Sequence, residues 1–280
     1  MNTTPTTGAL AVPGATLYHE RRGSGPVLLL IPGGGADAGL YAGMAGDLAA
    51  GGYTVVSFDP RGQSRSPLDG PAADHRVADW ADDAYRLLEL HSPHEPAYVL
   101  GCSAGAVAAL DLLARHPERV RRVVAHEPPL VEALEDPAPY RAMFHEVREV
   151  FRARGAAAAM AHLGAGLGEG PDREEATELP PEVQEMAPRM YANLPVFLEH
   201  VLCPFTSSVP DVAALRAAAD RLVLAAGRDS RAMPALYGPA RRLAELTGAG
   251  FAEFPGGHVG CTEHPGEFAA VLLAELSREK

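Results

Sequence analysis

Along the chain, short unbroken apolar runs alternate with longer stretches in which apolar residues recur every three or four positions. Val27-Leu28-Leu29-Leu30-Ile31 is uniformly apolar, the pattern of a strand covered on both faces. Weaker runs of the same kind, Ala9–Val12, Ala15–Glu20, Tyr53–Phe58, Tyr98–Leu100, Val120–His126, the run after Arg221 and Gly250–Phe254, predict further strands. Between them, Leu40–Ala50, His75–His91, the Ala/Leu-rich run after Gly105, Pro239–Leu246 and Pro265–Glu275 read as helices. In the second of these, Val77, Trp80, Ala84, Leu87 and Leu88 share one face. Repeated strand-helix-strand units imply an α/β fold: a mostly parallel central sheet with helices on both faces, and reactive groups at the carboxyl ends of the strands.

From about Leu130 to Pro210 the strand pattern stops. Tyr140–Arg154, Ala156–Leu163 and Glu182–Leu202 have helical periodicity, the last interrupted by Pro188 and Pro195, and Gly164–Pro171 reads as a flexible joint. The expected organisation is a core domain of residues 1–130 and 211–280 with a helical cap, residues 131–210, inserted over the site. Met143, Phe144, Met160, Met186, Met190, Tyr191, Phe197 and Phe205 are candidates to line an apolar pocket, against the plainer reading of such residues as helix core.

Composition narrows the function. A chain of 280 residues buries a sizeable core without staples, and three scattered cysteines, Cys102, Cys203 and Cys261, fit free thiols in a reducing compartment. A formal net charge of −12 with no basic run argues against nucleic acid and anionic membranes as partners. The start, Met1 to Gly8, lacks the basic and apolar regions of a signal peptide, and no run approaches a membrane span, so the expectation is a cytoplasmic protein. A small-molecule substrate acted on by a monomer or homodimer is the partner set that remains.

The candidate chemistry centres on Gly101-Cys102-Ser103-Ala104-Gly105 between a strand and a helix. Turning so sharply needs a strained central residue and small neighbours, and it lifts the Ser103 hydroxyl above the sheet edge. Cys102, one residue earlier, is expected to point back into the core as a small buried hydrophobe. Gly33-Gly34-Gly35 leaves amides unobstructed, as an oxyanion site requires. Among eleven histidines, His258 stands out because it follows a strand end and two glycines, while His126 ends a strand at the same edge. A metal reading of His258, Cys261 and His264 lacks a second cluster, so neither metal nor cofactor is expected.

These pieces, together and in order, resemble the α/β-hydrolase family of the capped, serine-nucleophile, esterase/lipase-like kind. The resemblance rests on Gly33–Gly35, Asp59-Pro60-Arg61-Gly62-Gln63-Ser64-Arg65-Ser66, the Gly101–Gly105 elbow and Gly256-Gly257-His258, and it covers essentially the whole chain. It implies Ser103 as nucleophile, His258 as base, and an oxyanion hole from the amides of Ala104 and Gly34, with Gly35 the other loop candidate. Pro32 stands where the family often has His, and Ser64 where it has Gly. The family's acid commonly follows the strand after the cap as Gly-x-x-Asp. Here Gly227-Arg228-Asp229 is one residue shorter, while Glu127 lies where some relatives place the acid before the cap. Asp229 is preferred, because a triad depends on geometry rather than spacing, with Glu127 as the alternative. The implied activity is hydrolysis of a carboxylic ester, lactone or thioester of a small, fairly apolar molecule through an acyl-enzyme. Amide or carbon-carbon hydrolysis, perhydrolysis, or a non-catalytic binding protein on the same fold are the alternatives.

Overall fold

The computed structural model describes residues 4–168 and 181–278. One eight-stranded sheet runs through the molecule in the order β1-β2-β4-β3-β5-β6-β7-β8. Strands β1 (Thr6–Val12) and β2 (Ala15–Gly23) form an antiparallel hairpin, and β2 also runs antiparallel to β4 (Thr54–Phe58). From β4 onward, β3 (Val27–Ile31), β5 (Ala97–Cys102), β6 (Val120–His126), β7 (Leu222–Gly227) and β8 (Gly250–Phe254) are all parallel. The order of connection reverses between β3 and β5, which are paired through Ile31 and Gly101. Such a reversal opens a crevice beyond the carboxyl ends of the strands, where ligands bind in α/β sheets.

Alternate strand residues serve two cores. Leu29, Ile31, Val99 and Val123 pack with Trp80 and Leu87 of α2 (Val77–His91) and Leu110 and Leu113 of α3 (Ala104–Arg115). On the other face Leu28, Leu30, Leu100 and Val124 meet Met44 and Leu48 of α1 (Ala42–Ala50), and helix Pro265–Ser277 adds Phe268 and Leu272. Every residue of β3 is therefore buried, as its unbroken apolar run implies.

Between β6 and β7 the described residues contain no strand. Helices α4 (Ala138–Arg154), α5 (Ala156–Leu167), α6 (Pro181–Val196), α7 (Leu202–Thr206) and α8 (Val212–Ala217) fill this stretch, and Phe144, Val147, Leu163, Leu198 and Leu202 give it a small core of its own. The joint expected at Gly164–Pro171 begins later. Gly164–Leu167 continue α5, which ends at Gly168 with φ +90°, and Glu169–Pro171 lie outside the described residues. Pro188 and Pro195 are accommodated inside α6. The irregularity follows them as a π-turn, Phe197–Val201, in which Leu202 N–H donates to Phe197 O. Pro204 has no N–H to offer the His200 carbonyl, and that oxygen instead accepts from His75 N–H at 2.9 Å. No helix among the described residues is long and apolar enough to cross a membrane.

Backbone packs closely on backbone at the β5–α3 connection. A Cβ at Gly105 would fall 2.1 Å from Ile31 O and 2.5 Å from Pro32 O, and one at Gly101 would fall 2.3 Å from Gly105 O. Backbone faces backbone here, so a side chain cannot be absorbed by rotation. Gly105→Ala is expected to destabilise the fold by at least about 2 kcal/mol, read as a lower urea midpoint with an unchanged m value. Gly46→Ala is the control, because nothing lies within 4 Å of a Cβ placed there.

Candidate active site

Ser103 stands between β5 and α3 with φ 55° and ψ −122°, a conformation L-residues rarely adopt. Its N–H donates to His126 O at 2.9 Å, extending the β5–β6 ladder by one rung and fixing the turn. As the first residue of α3, Ala104 presents an amide that has no carbonyl one turn earlier in the helix. Opposite it, Gly33–Ala36 form a reverse turn closed by Ala36 N–H to Gly33 O at 3.3 Å, with Gly35 at φ +80°. The Gly34 N–H donates to no carbonyl among the described residues. The loop passes so close to the elbow that a Cβ on Gly33 would lie 3.2 Å from Ser103 Cβ. The elbow and the glycine loop thus lie against each other.

His258 is carried by the loop after β8, where Gly256 takes φ +69°. Its Nδ1 is 2.7 Å from Glu127 Oε2. Glu127 follows β6 at φ 47°, its side chain is 0% exposed, and its Oε1 accepts from Gly227 N–H at 2.8 Å. Burial alone raises a carboxyl, but the hydrogen bond and charge of His258, with His126 and the adjacent Ser230 hydroxyl, hold Glu127 down at about 2. An ionised, fully buried carboxylate on Nδ1 selects the tautomer that leaves Nε2 free to take a proton. No hydrogen bond joins Ser103 Oγ to His258 among the described residues; both groups line the same cavity.

Asp229, the preferred acid, is not the partner of His258. Strand β7 ends at Gly227 and the chain winds at once into a 3-10 turn, Arg228–Ala232, which turns Asp229 to the surface and Ser230 inward. The end of β7 contributes the Gly227 amide instead. A side chain on Gly227 would sit 2.5 Å from Gly256 O, so only glycine allows β7 and the histidine loop to approach. His126 does not face the cavity: it is buried edge-on against Phe254 and Phe268. Cys102 is buried, as expected, and lies beside Cys261 and Tyr41 at the cavity floor. Among the described residues no group of His, Cys, Asp and Glu is placed to hold a metal ion.

The cavity holds about 360 Å³. Of the candidate pocket residues, Phe144, Met160, Met190, Phe197 and Phe205 line it. Met143 packs in the insertion's core, Met186 is buried between α6 and the sheet's α1 side, and Tyr191 is 68% exposed, so these three do not. Leu163, Leu167, Val201, Leu202 and Thr206 complete the insertion's side, and Leu236 and Val259 come from the core. Among the described residues the lining carries no Asp, Glu, Lys or Arg.

Residues 26–265 match the family described as alpha/beta hydrolase fold. The chain belongs to that family. This α/β-hydrolase is 35% identical over 278 residues to the uncharacterized hydrolase YraK of Bacillus subtilis (strain 168), covering 98% of this chain and 97% of the other. It is 33% identical over 117 residues to a zearalenone hydrolase of Bionectria ochroleuca, 41% of this chain and 44% of that one. Among solved structures, a protein from a study of carboxylesterases of the thaumarchaeon Nitrososphaera gargenis superposes with a TM-score of 0.73 at 20% identity, covering 96% of this chain and 98% of that one. That likeness is one of fold.

Two contributors to the α/β-hydrolase site escape sequence reasoning. The Gly227 amide is backbone and leaves only a glycine as its trace. Asn193, buried beside the Gly33–Ala36 turn, is one of only two asparagines in the chain, and that rarity within an apolar helical run is the one signal that marks it.

The low pKa of Glu127 has a consequence for acid stability. With its carboxyl at about 2 in the fold against an ordinary 4.5, Glu127 contributes stability that is complete above about pH 4.5 and is lost as pH falls towards 2. Glu127→Gln is therefore expected to flatten the stability-pH curve between about pH 4.5 and 2 relative to wild type, measured by urea unfolding across that range.

Proposed function

We propose that this α/β-hydrolase uses Ser103 as nucleophile, His258 as general base and Glu127 as the acid that orients it, on a carboxylic ester, lactone or thioester of a small, uncharged and fairly apolar molecule. The observation that carries the reading is the buried Glu127 on His258 Nδ1, with His258 and the strained Ser103 lining one cavity. As substrate enters, His258 Nε2 takes the Ser103 proton and Oγ attacks the carbonyl carbon; such contacts tighten when the site is filled. The oxyanion forms against the amides of Ala104 and Gly34. The imidazolium returns its proton to the leaving alcohol or thiol, and Glu127 steadies its charge throughout. Water activated by the same imidazole then releases the acid and restores Ser103.

The walls support this choice of substrate class. A carboxylate or ammonium buried among Phe144, Leu163, Phe197 and Leu202 would lose its hydration without finding a partner. The helical insertion, residues 131–210, acts in this reading as a cap that supplies most of those walls. Relatives named as hydrolases agree with turnover rather than with passive ligand binding.

The test is the intact mass of the protein after exposure to a fluorophosphonate, in which Oγ displaces fluoride. One adduct mapping to Ser103, lost in Ser103→Ala and strongly slowed in His258→Ala, is expected. An unlabelled wild-type protein, or an adduct elsewhere, overturns the reading. In a panel of p-nitrophenyl esters, neutral acyl chains should exceed their carboxylate-bearing analogues by at least about tenfold in kcat/KM, and Glu127→Gln should lower kcat by about a thousandfold or more, as loss of the orienting acid does in Ser-His-Asp enzymes.

A further inference from the structure

Three consecutive glycines have more backbone freedom than any other tripeptide, yet an oxyanion donor must be held still. Among the described residues, the Gly33–Ala36 turn has one internal backbone hydrogen bond, Ala36 N–H to Gly33 O at 3.3 Å. The remaining restraint comes from α6. Asn193, 4% exposed, donates through Nδ2 to Gly35 O at 3.0 Å. One turn later, Phe197 lies against the same loop, so close that a Cβ on Gly34 would meet its ring at 2.4 Å. Residues four apart share one helix face, so a single face of the insertion holds two successive glycines.

The other side of Asn193 is equally committed. Its Oδ1 accepts from Ser64 N–H at 2.7 Å, and Nδ2 also meets Ser64 Oγ at 2.9 Å. Because the Ser64 amide can only donate, the oxygen of Asn193 must face it and the NH₂ must face Gly35. Ser64 Oγ in turn donates to Asp37 Oδ2 at 2.9 Å. Asp37, fully buried at the far end of the glycine loop, accepts also from Gly39 N–H at 2.8 Å and Arg189 Nε at 2.5 Å. Ser64 adopts φ 47°, a conformation suited to glycine, at the position where the wider family has glycine. Its strained backbone and its hydroxyl both serve the Asn193–Asp37 chain of hydrogen bonds, which accounts for serine at that position.

We propose that Asn193 is a positioning residue for the oxyanion hole: its amide, braced by Ser64, ties the Gly35 carbonyl so that the Gly34 N–H faces the developing oxyanion. The inference rests on the assignment of Ser103 and Gly34 above. It makes the insertion a contributor to the rate of the chemical step as well as to binding.

The experiment measures kcat and KM on the best neutral ester of the panel, and inhibition by phenylboronic acid, whose tetrahedral adduct on Ser103 places an oxygen in the oxyanion hole. Wild type, Asn193→Ala, Asn193→Asp and Ser64→Gly are compared, with thermal unfolding as the check on folding. Asn193→Ala should lower kcat by about 30- to 100-fold, less than the loss of a whole donor, with KM within about threefold and boronate inhibition weakened in step with kcat. Asn193→Asp keeps the size and the acceptor towards Ser64 but has no donor for Gly35, and should fall equally; it decides the matter if the alanine variant does not fold. Ser64→Gly should lose less than either.

A folded Asn193 variant with kcat and boronate inhibition within about threefold of wild type, or a loss confined to KM, overturns the inference while leaving Ser103 chemistry standing. If wild type itself takes no fluorophosphonate on Ser103 and cleaves no ester, the Ser103 assignment has failed and this inference falls with it.

Discussion

The absence of room beside two glycines governs the whole arrangement. Gly101 and Gly105 let the start of α3 press against the end of β3, backbone to backbone, and this contact aligns the elbow with the loop that leaves β3. Were the two elements separated by even one methyl group, the elbow and the glycine loop would no longer lie against each other. The strained φ of Ser103 is sustained by the same contact, since its N–H is locked to His126 O and its successors are committed to the helix. Sheet order, by placing β3 and β5 side by side at the reversal, is what allows a local clearance rule to build a site.

How much of this was legible in the sequence depended on range. The elbow is a local feature, with glycines at fixed offsets from Ser103 between an apolar run and a helical one, and the β3 run has the uniform burial that its composition implies. The placement of His258 in a loop beside the cavity was legible for the same reason. The carboxylate that meets His258 was not, because the choice between Asp229 and Glu127 turns on which side chain a distant loop meets. Glu127 is aimed by a positive φ after β6 and held by an amide from β7, and neither leaves a mark in its own neighbourhood. Gly227-Arg228-Asp229 looks like the start of an acid-bearing loop, yet its glycine is the part that reaches the dyad. Pocket residues were half legible: periodicity identifies the apolar residues of the insertion but not which helix face turns inward, so Phe144 and Met190 line the cavity while Met143 and Tyr191 do not.

The insertion meets the core through two kinds of surface. Its apolar residues enclose the cavity without offering a charge, whereas α6 also carries Arg189 and Asn193, whose polar ends are spent on Asp37, Gly35 and Ser64. Each buried polar atom of Asn193 has a partner, so the tie has a defined geometry where a purely apolar contact could slide. The π-turn after α6 lies at the same seam: Phe197, its first residue, rests its ring on Gly34, and His200 O, left without a donor by Pro204, bonds to the core.

The bond between His258 and Glu127 spans 131 residues of sequence. Ser103 and Glu127 leave adjacent strands in the middle of the sheet, but the imidazole arrives only with the loop that follows β8, the outermost strand on that side. Contacts of such separation form late, because the loop they close must first be ordered. A nascent or partly refolded chain can therefore possess its serine elbow and Glu127 while the His258–Glu127 pair is still unmade. The same wiring works in reverse: an opening of the β8 edge that leaves the central strands paired would part His258 from Glu127 while Ser103 and Glu127 stay in place.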